Sequence, residues 1–206
     1  MEKLIVKIGY LKGEEVEDVI NKRMKEFLLV RESDDDIFGE LCFCLLTANF
    51  QAAKSIKIQE EFGHLFESES EEELAKVLKS AGHRFWPQRA ERIVLARKIK
   101  DELLKVVKSG DEFFIREWVV ENVKGIGMKE ASHFLRNIGF KNVAIVDFHI
   151  VDLLVSEGLA ERPKSLNKKK YLEIEETLKG LGYKVQMSLA ELDLYLWYIE
   201  TGSVLK

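Results

Sequence analysis

The residues best placed to do covalent chemistry are Lys129 and Asp147, and both stand near two glycines, Gly125 and Gly127, one residue apart. The stretch reads VKGIGMKEASHFLRNIGFKNVAIVD over Val123–Asp147. The glycines fall where one apolar-periodic run stops and another begins. That is the punctuation of a helix–hairpin–helix, whose tight turn adopts conformations a Cβ would obstruct. Lys129 then lies in the first turn of the second helix. A cation there opposes the helix dipole, so the position is not chosen for helix stability. The same field favours the neutral amine, which is a nucleophile able to form a Schiff base. Asp147 stands in VAIVDFHIVDLL, after an extended apolar stretch and before a new apolar-periodic run. There it can cap a helix while its carboxylate faces back toward the hairpin. The start of the second helix also leaves backbone N–H groups without partners, and a DNA phosphate is a natural one. Lys124, beside the turn, adds a cation. Taken singly, each feature has a plainer explanation: a helical turn, an N-cap, a solvated lysine.

The elements that must carry these residues are helical. Val16, Val19, Ile20, Met24, Phe27 and Leu28 recur at helical spacing over 14–30. Ser33 and the aspartates after it signal a helix start. Residues 37–48 are almost continuously apolar, as expected of a central buried helix. Short amphipathic helices are expected over 52–62 and 70–81, with the acidic run Glu67–Glu73 between them. A long helical run over 87–108, opened by Pro87, carries many arginines and lysines on what reads as a solvated face. Residues 111–122 form the first helix of the hairpin, and Ala131, Phe134, Leu135 and Ile138 line one face of the second. Further helices are expected over 148–156, 167–180 and 188–201, with a Gly-Tyr turn after the second of these. About ten helices with little strand predict an all-α fold.

At the hairpin, the lysine and the V-D-x-H run, the chain resembles the helix–hairpin–helix Gly/Pro-Asp superfamily of DNA glycosylases. The lysine matches its bifunctional glycosylase/abasic-site lyases. In length and motif order the whole chain is similar to the archaeal-type 8-oxoguanine DNA glycosylases. This resemblance implies two helical lobes, 1–35 with 140–206 and 36–139, with the hairpin at the groove between them. It implies that Lys129 and Asp147 are catalytic and that Lys124, Gly125 and Gly127 hold the DNA backbone. In LLTANFQAAK, Asn49 with Gln51 takes the place of residues that fill the gap left by a flipped nucleotide; a helix C-cap is the other reading of Asn49. In the G-x(6)-R-A-x-x-I frame that opens GHRFWPQRAERI, Arg84 and Phe85 address the base opposite the lesion, while Trp86 packs inward. Trp197 and Lys206, at the end of the chain, line the lesion pocket, with ordinary core packing as the alternative for Trp197. The expected partner is double-stranded DNA containing 8-oxoguanine.

Composition bounds the alternatives. The chain has 206 residues, enough for a sizeable core, and a net charge of −4, which argues against bulk coating of nucleic acid but not against a local basic surface. Cys42 and Cys44 are its only cysteines. They read as small core residues, and they cannot supply the four ligands of the iron–sulfur cluster that some glycosylases of this superfamily carry. No metal is expected in the chemistry and no cofactor, beyond a monovalent cation at the hairpin that the resemblance implies. No stretch approaches a membrane span, and no signal peptide is evident. A cytoplasmic, nucleoid-associated monomer is expected. The competing readings are an oxidised-pyrimidine glycosylase of the endonuclease III type and a non-catalytic helix–hairpin–helix protein that only binds DNA.

Overall fold

The computed structural model describes residues 1–206. It contains twelve α-helices and one 3₁₀ turn at Gly63–Leu65, with no strand. In order the helices are α1 Glu2–Leu11, α2 Glu15–Val30, α3 Asp34–Thr47, α4 Ala52–Phe62, α5 Glu71–Ser80 and α6 Trp86–Arg97. They continue with α7 Lys100–Lys108, α8 Glu112–Asn122, α9 Met128–Asn137, α10 Phe148–Ser156, α11 Lys168–Val185 and α12 Leu189–Thr201. The all-α expectation holds. Two helices more than the expected ten arise because the apolar opening is itself helical and because the run over 87–108 is broken. The break falls at Lys98 and Ile99, whose N–H groups bond back to Leu95 and Ala96. These i→i−3 bonds tighten the helix end without a glycine or proline to announce it.

The chain divides into two compact units, residues 1–29 with 135–206 and residues 30–134. In the second unit α3 is the core element. Ile37, Phe38, Leu41, Cys42, Phe43, Cys44, Leu45 and Leu46 are all buried, which is what a nearly continuous apolar run requires. Ser33 caps α3 by accepting the Asp36 N–H at 3.2 Å, and three aspartates sit at its positive end. Helices α4, α6 and α7 pack on α3, and α5 on α6. The cysteines are free thiols in this core, and burial pushes the Cys42 thiol well above its ordinary pKa.

In the first unit α1 packs on α11 and α12, and α10 on α12. Lys12 ties the chain's beginning to its later part by donating to the Val185 carbonyl at 2.8 Å. Helix α11 corrects an expectation. It does not end near Gly180 but continues to Val185, closing at Gln186 in a left-handed conformation. Gly182 and Tyr183 therefore lie inside the helix. Gly182 is explained by packing rather than by a turn, since a Cβ there would stand 3.0 Å from the Met187 carbonyl oxygen.

Candidate active site

In the second unit the hairpin joins α8 to α9. Val123 ends α8 by bonding back to Val119, and the Ile126 N–H closes the turn on the Val123 carbonyl at 3.1 Å. The two glycines have different duties. Gly125 has φ +91, and a Cβ on it would fall about 2.5 Å from the Arg92 guanidinium. The positive φ and the close approach both demand glycine. Gly127 has no positive φ, and a Cβ there would meet only a Glu130 oxygen at 3.7 Å. The expectation that the turn excludes a Cβ at both positions holds for Gly125 alone. Gly127 starts α9, its carbonyl accepting the Ala131 N–H at 2.9 Å. The N–H groups of the first turn after it have no intrahelical acceptor.

Lys129 sits in that turn, half-buried, with its Nζ 3.6 Å from Glu130 Oε1. A carboxylate at this distance forms an ion pair with the ammonium without a direct hydrogen bond. Lys124 is exposed and paired with Glu91 at 2.7 Å, so engaging a phosphate means exchanging that partner. Two arginines of α6 went unnoticed in the sequence because their spacing reads as a solvated face. Arg89 is buried and donates to the Ala48 carbonyl; burial first, and the neighbouring Arg92 second, push its pKa down to about 10. Arg92 lies against Gly125, and its Nε is buried without a hydrogen-bond partner.

The same unit brings together the two loops that carry Asn49 and Gln51, and Arg84 and Phe85. Asn49 follows the α3 C-cap with φ 57, a left-handed conformation that asparagine tolerates, and its side chain is exposed. Gln51 is exposed and starts α4 with its carbonyl rather than its side chain. Arg84 is exposed, with its guanidinium 5.0 Å from the centre of the Phe85 ring. Trp86 is only partly buried, at the first position of α6, with Lys79 Nζ 5.2 Å over its ring. Beneath these loops lies His83, a residue to which the sequence assigns no role. Its Nε2 bonds to the Leu46 carbonyl at 3.0 Å and its Nδ1 accepts the Phe85 N–H at 3.1 Å. The ring also stacks on Phe50 at 4.0 Å. Accepting at Nδ1 fixes the proton on Nε2. Burial, reinforced by Arg89 and opposed by the Leu46 carbonyl, holds the His83 pKa below its ordinary value.

The first unit carries the remaining residues. Asp147 caps α10, its Oδ1 accepting the Ile150 N–H at 2.9 Å. That bond occupies one carboxylate oxygen and leaves Oδ2 outside the cap. Trp197 on α12 meets His149 edge to face with ring centres 5.4 Å apart, and its indole Nε1 is buried without an acceptor. A buried indole N–H normally finds a partner. Lys206 ends the chain, partly buried, in the short tail after α12.

A family model described as 8-oxoguanine DNA glycosylase matches residues 20–187. An 8-oxoguanine DNA glycosylase/AP lyase of Korarchaeum cryptofilum is 52% identical over 208 residues, covering 100% of this chain and 99% of the relative. Among solved structures, the Methanocaldococcus jannaschii 8-oxoguanine glycosylase/lyase in complex with 15mer DNA containing 8-oxoguanine is 50% identical. It superposes with a TM-score of 0.95 over 99% of this chain and 100% of that one. The 8-oxoguanine DNA glycosylase of Thermotoga maritima is 43% identical with a TM-score of 0.94, covering 100% of this chain and 99% of that one.

Proposed function

This chain belongs to the 8-oxoguanine DNA glycosylase family, and on that premise we propose that Lys129 and Asp147 carry its chemistry. It is a bifunctional DNA repair enzyme that excises 8-oxoguanine and cuts the strand at the abasic site left behind. The observation that supports the assignment is the placement of Lys129 in the first turn of α9, directly after the hairpin, in a chain that also caps α10 with an aspartate.

The target base is out of reach inside a duplex, so its nucleotide is flipped out of the stack. The first-turn N–H groups of α9, with Gly125, Gly127 and Lys124, hold a backbone phosphate and fix register without reading sequence. A monovalent cation on the hairpin carbonyls would strengthen that hold. The Val123 and Gly127 carbonyls already accept one N–H each and keep a second lone pair for it. Asn49 and Gln51 fill the vacated stack, while Arg84 and Phe85 face the opposite base.

Neutral Lys129 attacks C1′ of the deoxyribose, and Asp147 stabilises the positive charge that develops on the sugar. The base leaves with its bonding pair and takes up a proton. The C1′–O4′ bond then breaks, O4′ gaining a proton as the lysine nitrogen forms the Schiff base with C1′. Loss of a C2′ proton expels the 3′ phosphate by β-elimination, cutting the strand on the 3′ side. Trp197 stacks on the flipped base, with Lys206 at the pocket wall. 8-Oxoguanine carries a proton on N7 where guanine has an acceptor, so an acceptor in the pocket gains a bond with one base and is left unpaired with the other. No helix is long and apolar enough to cross a membrane. The enzyme acts on the chromosome as a cytoplasmic monomer.

The test is a set of three duplexes carrying 8-oxoguanine, an oxidised pyrimidine or a pre-formed abasic site. The expected result is excision from the first, strand cleavage at the third and little action on the second. Preference for the oxidised pyrimidine would support the endonuclease III type of reading. Binding to all three without cleavage would support a purely DNA-binding role.

A further inference from the structure

The segment 143–146 leading into Asp147 is buried but belongs to no helix, and the chain has no strand to lie beside it. Buried backbone N–H and C=O groups need partners, and two side chains of α11 supply them. The Tyr171 hydroxyl donates to the Ala144 carbonyl at 2.6 Å and accepts the Val146 N–H at 3.1 Å. The Glu175 carboxylate accepts the Ala144 N–H at 2.8 Å. Tyr171 and Glu175 lie one turn apart on the same face of α11, and both are almost fully buried, at 2% and 1% exposed. Phenylalanine and leucine would fill the same space but satisfy none of these backbone groups. A buried carboxylate is retained at a desolvation cost that apolar packing would avoid.

The consequence falls on the next residue. Asp147 has an extended backbone, φ −110 and ψ −179, and its carboxylate is tied on the far side to the Ile150 N–H. Tyr171 fixes the backbone one residue before it, and the cap fixes the side chain against α10. Its carboxylate is therefore held from both directions.

We propose that Tyr171 and Glu175 are positioning residues for the Asp147 carboxylate, acting through the backbone of 143–146; this rests on the reading of Asp147 as catalytic. A catalytic group displaced by about 1 Å can lose about 100-fold in rate, so a loosened segment costs activity without costing affinity.

The test uses the full chain and a duplex with one 8-oxoguanine. Single-turnover excision and duplex affinity are measured for Tyr171→Phe, Asp147→Asn and the double variant. The expected result for Tyr171→Phe is a rate about 10- to 100-fold lower with unchanged affinity, and no further loss when it is added to Asp147→Asn. Glu175→Gln keeps an acceptor oxygen and should retain most of the rate, whereas Glu175→Met should lose it as Tyr171→Phe does. Glu175→Met also leaves the Tyr171 bonds in place, so it repeats the test in both backgrounds if Tyr171→Phe does not fold. Equal losses with and without Asp147, or no loss in either background, would overturn the positioning role. An Asp147→Asn variant that excises at the full rate overturns the reading of Asp147 itself, which distinguishes that failure from failure of positioning alone.

Discussion

Oδ1 of Asp147 caps α10, and on the proposed reading Oδ2 would serve the substrate. Asparagine caps a helix about as well as aspartate. Asp147→Asn should therefore unfold at nearly the wild-type temperature while excision falls by about 100-fold or more, the scale of losing an electrostatic partner of the transition state. A variant that melts early and keeps its rate would reduce Asp147 to a cap. Trp197 admits a similar separation. Its buried, unpartnered Nε1 and its place beside His149 leave it free of the hydrogen bond that would mark a settled core indole. Base–aromatic stacking contributes about 1–3 kcal/mol. Trp197→Ala should thus slow 8-oxoguanine excision by about tenfold or more while sparing cleavage at a pre-formed abasic site, which has no base to stack. A parallel fall of both activities would indicate a damaged core.

At the scale of elements, the hairpin and the loops around His83 each make a prediction. Gly125→Ala forces a non-glycine residue to φ +91 against Arg92 and should cost about 1–2 kcal/mol of stability. Gly127→Ala should be nearly neutral, and urea unfolding of the pair checks the contrast. For His83, burial holds the folded pKa below the ordinary 6.5. The unfolded chain then binds the proton more readily, so this contribution to stability is complete above about 6.5 and is lost as pH falls toward the folded value. Protonation also removes the acceptor for the Phe85 N–H. Stability measured from pH 7.5 to 5 should fall more steeply for the wild type than for His83→Gln. Much at this scale was legible in sequence: the 52–62 and 148–156 helices coincide with α4 and α10, and the Gly-Ile-Gly turn is where its glycines put it. What escaped notice has a physical cause in each instance. The break between α6 and α7 uses no special residue. The continuation of α11 through Gly180 and Gly182 overrides the propensity that glycine usually signals. His83, Arg89 and Tyr171 act through backbone carbonyls and amides distant in the chain, and no spacing rule reveals such bonds.

Over the whole molecule, net charge says little: a chain of charge −4 can act on DNA if its cations are locally concentrated. The division of the chain says more. Lys129 belongs to the unit of residues 30–134, with Asn49, Arg84 and Phe85, whereas Asp147, Trp197 and Lys206 belong to the other. The residues proposed for catalysis and for the base pocket are thus drawn from both units. The central claim is that Lys129 forms the Schiff base, and trapping that intermediate tests it most directly. With borohydride present, the chain and a duplex carrying one 8-oxoguanine should give a single covalent adduct that maps to Lys129. Lys129→Gln should still bind the duplex but give no adduct. An adduct formed in normal yield by Lys129→Gln, or one mapping to another lysine in the wild type, would contradict the account.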